Sequence, residues 1–93
     1  MPVAEALRRS TPLALLRARL QDSNDRFEAI RDSLPATLAR HLAPGPVDEE
    51  GWTVLAANTA VAAKLRQLTP RLEAVLQGRG WQVSAIRIRV QSN

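Results

Sequence analysis

The chain has 93 residues and no cysteine, so it has room for one core and cannot form a disulfide framework or a thiolate metal site. Its net charge of +4 is unevenly distributed. Residues 1–50 carry seven basic and eight acidic side chains, whereas residues 51–93 carry six basic side chains against Glu73 alone. A basic half in a small domain indicates a polyanionic partner.

The first third of the chain predicts helices. Residues 1–10 are expected to be a disordered lead-in, and Pro12 stands where a first helical residue is favoured. One long helix or two short helices are predicted across residues 12–34, and Pro35 separates them from a further turn or two within residues 36–42. The prediction depends on apolar residues at helical spacing, which are Leu13, Leu16, Leu20, Phe27, Ile30 and Leu34.

Turn-forming residues dominate positions 43–51, around one short strand. Pro44 and Pro46 lack a backbone N–H, so this strand should lie at a sheet edge. Residues 48–51, Asp-Glu-Glu-Gly, are typical of a hairpin tip. Their adjacent carboxylates lack a neutral ligand and a spaced fourth oxygen, which favours a solvated turn over a metal site.

A strand, a helix and a second strand are predicted next. Residues 52–57 are apolar on both faces, as in a central strand, and Asn58 is a good N-cap. Pro70 predicts a kink or a restart of the helix with Thr69 as the cap. The helix should end at residues 78–80. Its apolar stripe is formed by Val61, Leu65, Leu68, Leu72 and Val75.

These elements predict an α+β fold with a three-stranded mixed sheet covered on one face by helices. The strand–helix–strand connection should be a right-handed crossover. In the last strand, alternate side chains should face opposite sides of the sheet. Ser84, Ile86, Ile88 and Val90 are expected on one face, and Ala85, Arg87 and Arg89 on the other.

The cations of the basic half are predicted to form one surface that follows phosphates. Lys64, Gln67 and Arg71 align on one flank of the helix, and Arg66 lies with Glu73 on the other. Alternatively, these residues have no binding role: an exposed helix needs long polar side chains on its surface, and a GC-rich genome favours arginine codons. The surface would combine the helix flank, the helix end and the solvent face of the last strand, that is Lys64, Arg66, Gln67, Arg71, Arg79, Arg87 and Arg89.

No catalytic, cofactor or membrane role is expected. His41 is the only histidine, Cys and Tyr are missing, and the Gly78–Gly80 segment is too short for a phosphate loop. Trp52 and Trp81 are expected to plug the core rather than stack on bases. No apolar run approaches the roughly 20 residues that span a bilayer, and a cytoplasmic location is expected.

Four segments together resemble the DciA family. They are residues 34–41, 52–58, 62–72 and 86–90, and the most specific is the run A-x-x-L-R-x-L-x-P-x-L from Ala62, closed by I-R-I-R-V. The likeness extends over about residues 11–91. It implies a bacterial replication factor that loads the DnaB-type helicase onto DNA, with a KH-like domain. It also implies that DNA or helicase contacts involve Lys64, Arg66, Arg71, Arg87 and Arg89.

The chain departs from the family pattern at Val61 and in its first strand, which prolines interrupt and which is usually more regular, and it also lacks a loop typical of KH domains. Val61 occupies a position where the family usually has tryptophan, so a core or partner contact there should differ. The joint at residues 67–70 lacks the GxxG loop with which nucleic-acid-binding KH domains clamp a backbone, and this argues against KH-type clamping.

We therefore expect a non-catalytic adaptor without cofactor. Residues 1–10 would be the lead-in and residues 11–93 a single KH-like domain. Its partners would be the DnaB-type helicase and single-stranded or forked DNA, without a membrane, and the oligomeric state is left open with a monomer among the choices. The alternatives are a protein-interaction module for an acidic partner and a KH-like RNA-binding protein.

Overall fold

The computed structural model describes the backbone of residues 3–82 and 85–91, and within these ranges the side chains from residue 12 onward. The strands form one sheet in the order β1-β2-β3, in which β1 and β2 are antiparallel and β2 and β3 are parallel. The predicted α+β fold with a mixed three-stranded sheet is confirmed. The KH-like relationship and the handedness of the crossover stay predictions. The elements in chain order are α1 (Val3–Arg31), α2 (Ala36–Ala39), β1 (Leu42–Asp48), β2 (Gly51–Ala56), α3 (Thr59–Gly78) and β3 (Ile86–Val90).

Helix α1 is a single helix of 29 residues, the longer of the two forms predicted for this region. It begins at Val3, so the predicted start at Pro12 is wrong, and Pro12 lies inside it. Residues 3–9 are mostly Ala, Leu, Glu and Arg, which are strong helix formers, and this local preference outweighs one lost hydrogen bond. Residues 1–2 of the expected lead-in lie outside the described residues, and the division of the chain at residue 10 stays a prediction.

The core lies between the helices and one face of the sheet. On β2, Trp52, Val54 and Ala56 are fully buried. On β3, Ile86 is buried and Ile88 packs against the core, so these side chains face the helices. Ser84 lies outside the described residues. The helices contribute the other large buried side chains, Ile30, Leu65, Leu72 and Leu76.

Strand β1 lies at the edge of the sheet, as its prolines predict, and a bulge interrupts its pairing between Pro44 and Val47. The hairpin tip is also confirmed, because Asp48 pairs with Gly51 and its Oδ1 accepts the backbone N–H groups of Glu50 and Gly51 at 2.9 and 3.1 Å. Gly45 lets β1 approach β2 closely, since a Cβ there would lie 2.6 Å from the carbonyl oxygen of Thr53.

Helix α3 begins at the predicted cap, where the Asn58 side chain accepts the N–H of Val61 at 2.9 Å. The helix continues through Pro70, so the restart is wrong, whereas the alternative of a kink at Pro70 stays a prediction. Thr69 does not cap a new helix, because its hydroxyl donates to the carbonyl of Leu65 at 3.0 Å. Proline in a helix interior costs about 3 kcal/mol, whereas burying a leucine yields about 1.5–3 kcal/mol. Because Leu72 and Leu76 are buried beyond Pro70, an unbroken helix is favoured.

The molecule is elongated. Its radius of gyration is 15.5 Å, against about 12 Å for a compact chain of this length. The part of α1 up to Leu20 is not covered by the core, since Leu13, Leu16 and Leu20 are 64, 53 and 56% exposed. Helix α1 therefore extends beyond the core that its second half helps to form.

Candidate nucleic-acid interface

One group of predicted site residues lies on a flank of α3. Lys64, Gln67 and Arg71, which we call the helix row, are all exposed. They border the buried stripe of Leu65 and Leu72 because residues three and seven apart return to nearly the same side of a helix. The helix row extends about 10 Å along the axis at a rise of about 1.5 Å per residue.

The other two cations of α3 are separate from the helix row. Arg66 is exposed on the opposite flank, where Glu73 is half-buried. Arg79 caps the helix, and its backbone N–H bonds to the carbonyl oxygens of Val75 and Leu76 at 3.2 and 3.1 Å. Its exposed side chain places a positive charge at the negative end of the helix dipole.

A second group lies on the sheet. Arg87 and Arg89, which we call the strand face, are exposed and alternate with Ile86 and Ile88. Since those isoleucines face the helices, the two arginines project from the opposite side of the sheet. There they line a shallow hollow of about 310 Å³ together with Thr53 and Asp48.

Arg87 is already bound within the chain. Its Nη2 lies 2.6 Å from Oδ2 of Asp48 and its Nη1 lies 3.3 Å from Oε2 of Glu50. The Arg87 hydrogen bond lowers the pKa of Asp48; burial opposes this, and the backbone N–H groups of Glu50 and Gly51 add to the lowering. Two of the three hairpin carboxylates thus neutralise Arg87, which explains their clustering without a metal ion.

The structure therefore does not bring the seven predicted residues together. It places the helix row on the helix layer and the strand face on the other side of the sheet, in contrast to the single surface expected from the sequence. Residues 51–93, the basic half, contain six cations, and among the described residues Arg87 is the one of these six that forms an ion pair. Five cations have no such pair within the described ranges, namely Lys64, Arg66, Arg71, Arg79 and Arg89.

One family model matches residues 2–88, and its description is "Dna[CI] antecedent, DciA". The chain belongs to the DciA family. The match confirms the resemblance seen in the run from Ala62, and the name links the DciA family to DnaB helicase loading in DNA replication. No curated protein matches the sequence.

Two tryptophans connect α1 of this DciA-family chain to the rest of the fold. The indole N–H of Trp52 donates to the hydroxyl of Ser23 at 2.9 Å, and this hydroxyl donates to the carbonyl of Gly45 at 2.5 Å. The indole N–H of Trp81 donates to Asp22 at 2.8 Å. Trp52 is fully buried, as predicted, and Trp81 packs half-buried against the core. Both indoles are thus engaged in packing, and neither is a free stacking platform.

The structural roles of Asp22 and Arg26 were not among the predictions made from the sequence. Arg26 is 9% exposed and forms two hydrogen bonds with the carboxylate of Asp22, at 3.1 and 3.2 Å. Burial raises the pKa of Asp22, but hydrogen bonds from Arg26 and Trp81 and the Arg26 charge outweigh burial, so the pKa lies below 3.8. The spacing of four residues between Asp22 and Arg26 was the available signal.

Other candidate chemistry is limited in the described part of the DciA-family chain. His41 is exposed, and its backbone carbonyl accepts the N–H of Ala57 at 2.9 Å. No group of three or more acidic or histidine side chains within the described ranges is arranged to hold a metal ion. The helices described here also include none with the length and apolarity needed to cross a bilayer.

Proposed function

We propose that this chain is a non-catalytic adaptor in the bacterial cytoplasm that binds the DnaB-type replicative helicase and DNA and assists helicase loading. Membership of the DciA family is the observation that carries the helicase part of the proposal. The charge of residues 51–93 supports the DNA part, because six basic side chains there stand against one acid.

Single-stranded or forked DNA fits the exposed cations of the basic half. In duplex DNA the phosphates of one strand are about 3.4 Å apart in axial rise, so a helix row of about 10 Å would cover about three nucleotides in the duplex arm of a fork. Its two cations, Lys64 and Arg71, have no acid beside them in sequence, and Arg89 adds a cation on the strand face. Arg87 is the weaker candidate, because DNA would have to displace Asp48 and Glu50 from its guanidinium.

The helix row and the strand face lie on two different faces of the molecule, and this suggests contacts with two partners or with two segments of one DNA strand. An adaptor that holds helicase and DNA at once raises the effective concentration of each for the other, and this requires no nucleotide hydrolysis. A clamp of the KH type is not part of the proposal. The joint at residues 67–70 lies within the unbroken helix α3 and so provides no loop to hold a backbone.

A pull-down with purified DnaB-type helicase, with and without nuclease, tests the proposal. The tagged chain should retain the helicase after nuclease treatment, since the protein contact does not require DNA. Adding single-stranded DNA should then increase the retained helicase through the second contact. Loss of all helicase after nuclease treatment would contradict an adaptor that binds both partners. If the amount of retained helicase is the same with and without added DNA, a pure protein-interaction module would be favoured.

A further inference from the structure

The strand face carries anions of its own. Asp48, Glu49 and Glu50, which we call the acidic tip, lie at the turn between β1 and β2, and Asp48 and Glu50 bind Arg87. These two acids are 39 and 37 residues away from Arg87 in the sequence. A phosphate that arrives at the strand face therefore meets a guanidinium that already has carboxylate partners.

The carboxylate of Asp48 is oriented for its contact with Arg87. Its Oδ1 accepts the backbone N–H groups of Glu50 and Gly51 at 2.9 and 3.1 Å, which holds the side chain over the turn. Its Oδ2 accepts a hydrogen bond from Nη2 of Arg87 at 2.6 Å, a short charge-assisted contact. A guanidinium binds carboxylates and phosphates with the same donors. The acidic tip thus occupies donors that a DNA phosphate would use.

The contact between Arg87 and the acidic tip is exposed enough to be exchanged. The side chains of Arg87 and Asp48 are 42 and 43% exposed, and that of Glu50 is 82% exposed. An exposed ion pair shifts an equilibrium by at most about fivefold, because water screens it and two side chains must be ordered. A DNA strand that another contact holds nearby presents phosphates at high effective concentration and can replace the carboxylates.

Arg89 lies beside Arg87 on the same face. It is two residues further along β3, at a distance of about 6.6 Å along the strand, and both arginines line the hollow that includes Thr53. Arg89 forms no ion pair within the described ranges. Release of Arg87 would therefore add a second unpaired cation next to Arg89 on the strand face. The acidic tip determines how many phosphate contacts this face can make.

We propose that the acidic tip masks the strand face by competing with DNA phosphate for Arg87, so that Arg87 contacts DNA only after the tip is displaced. This inference rests on the proposed DNA binding and adds a controlled step to it. Lys64 and Arg71 of the helix row have no ion pair in the described part of the chain, so the helix row binds DNA first.

Two substitutions in the acidic tip form a matched pair. Asp48→Asn and Glu49→Gln each remove one negative charge, but the Glu49 side chain is exposed and has no hydrogen bond or ion pair among the described residues. Asparagine also retains an Oδ1 that can accept the N–H groups of the turn.

Fluorescence anisotropy with a labelled single-stranded oligonucleotide measures the affinity of both variants. Asp48→Asn should bind about two- to fivefold more tightly than Glu49→Gln, because it alone weakens the hold on Arg87. The slope of log affinity against log salt should be steeper in Asp48→Asn by up to about 0.7, the contribution of one phosphate contact. Circular dichroism checks that both variants remain folded.

Arg87→Gln tests whether the effect of Asp48 acts through Arg87. In this background Asp48→Asn and Glu49→Gln should have equal affinity for the oligonucleotide, because there is no guanidinium left to release. A difference that persists without Arg87 would overturn the proposal, since Asp48 would then act on DNA through its charge or through the fold.

The remaining outcomes separate the masking from the DNA binding on which it rests. Equal affinities and slopes for Asp48→Asn and Glu49→Gln, with DNA binding by the wild type, would overturn the masking and leave the proposed function intact. Binding by Asp48→Asn and not by the wild type would support complete masking. If neither protein binds DNA, both the masking and the DNA part of the proposed function are wrong. A change in retained helicase, with DNA affinity unchanged, would assign Arg87 to the protein contact and contradict the masking.

Discussion

Ser23 connects three elements through one hydroxyl. It accepts the indole N–H of Trp52 and donates to the carbonyl of Gly45, so α1, β1 and β2 meet at this group. Ser23 is 3% exposed and Trp52 is fully buried, so water cannot easily replace either partner. A buried donor or acceptor left without its partner costs about 1–3 kcal/mol.

Ser23→Ala should therefore lower the free energy of unfolding by about 1–3 kcal/mol, because it leaves the indole N–H of Trp52 without an acceptor. Urea denaturation followed by tryptophan fluorescence measures the change. Asn24→Ala is the control, since Asn24 is exposed on the same helix and its loss should change stability by no more than about 0.5 kcal/mol. Equal effects of the two substitutions would show that the hydroxyl is not a structural link.

Asp22 should make the fold sensitive to acid. Its pKa is lower in the folded chain than its usual 3.8, so the unfolded chain binds the proton more readily. The resulting stabilisation is present above the ordinary pKa and is lost as the pH falls below about 4 towards the folded pKa. Thermal denaturation between pH 6 and about pH 2 should show a steeper loss in the wild type than in Asp22→Asn. Asp25→Asn, on the exposed side of α1, should behave like the wild type.

At the scale of elements, the periodicity of the sequence was sufficient to predict a helix or strand where the burial pattern and the local conformational preference of the residues agree. The two-residue period of β3, the apolar β2 and the Asn58 cap each predicted the observed structure. The sequence was misleading at Pro12 and Pro70, because a proline signals a local break. Whether the helix continues depends on what is buried or favoured on either side of it, and for Pro70 this is decided by tertiary contacts of Leu72 and Leu76.

Pro70→Ala distinguishes a continuous helix from a restarted one. In a continuous α3 the alanine restores an N–H and relieves the ring, so the free energy of unfolding should rise by about 1–3 kcal/mol. In a helix that restarts at residue 70, proline would be favourable and alanine would give no gain. Urea denaturation measures the difference. Pro35→Ala is the control, because Pro35 precedes α2 with φ −58° and lies outside any helix interior.

At the scale of the whole molecule, the sequence predicted which cations are exposed but not how they are arranged. Exposure follows from charge and helical position, and all seven candidate residues are exposed. Their division between two faces follows from the pleat of β3 against the helices. The neutralisation of Arg87 involves Asp48, 39 residues away, and only the paired hairpin and the parallel β3 bring these residues together.

The exposed leucines of α1 present a similar difficulty at this scale. Leu13, Leu16 and Leu20 have the spacing of core residues. Their exposure follows from the fact that α1 is longer than the sheet on which its second half packs, and the spacing alone does not reveal this. The length of α1 is the reason that these leucines lie beyond the core, since 29 residues extend about 43 Å. An apolar face of this kind marks an interaction site more often than a defect of the fold.

The most direct test of the account is the salt dependence of single-stranded DNA binding by the wild type and by Lys64→Gln/Arg71→Gln. Fluorescence anisotropy of a labelled oligonucleotide gives the slope of log affinity against log salt. Each phosphate contact on a single strand contributes about 0.7 to that slope, so the double variant should reduce it by about 1.4. Arg17→Gln/Arg40→Gln removes the same charge from residues 1–50 and should leave the slope unchanged. Equal slopes for all three proteins, or no DNA binding by the wild type, would contradict the assignment of DNA to the basic half.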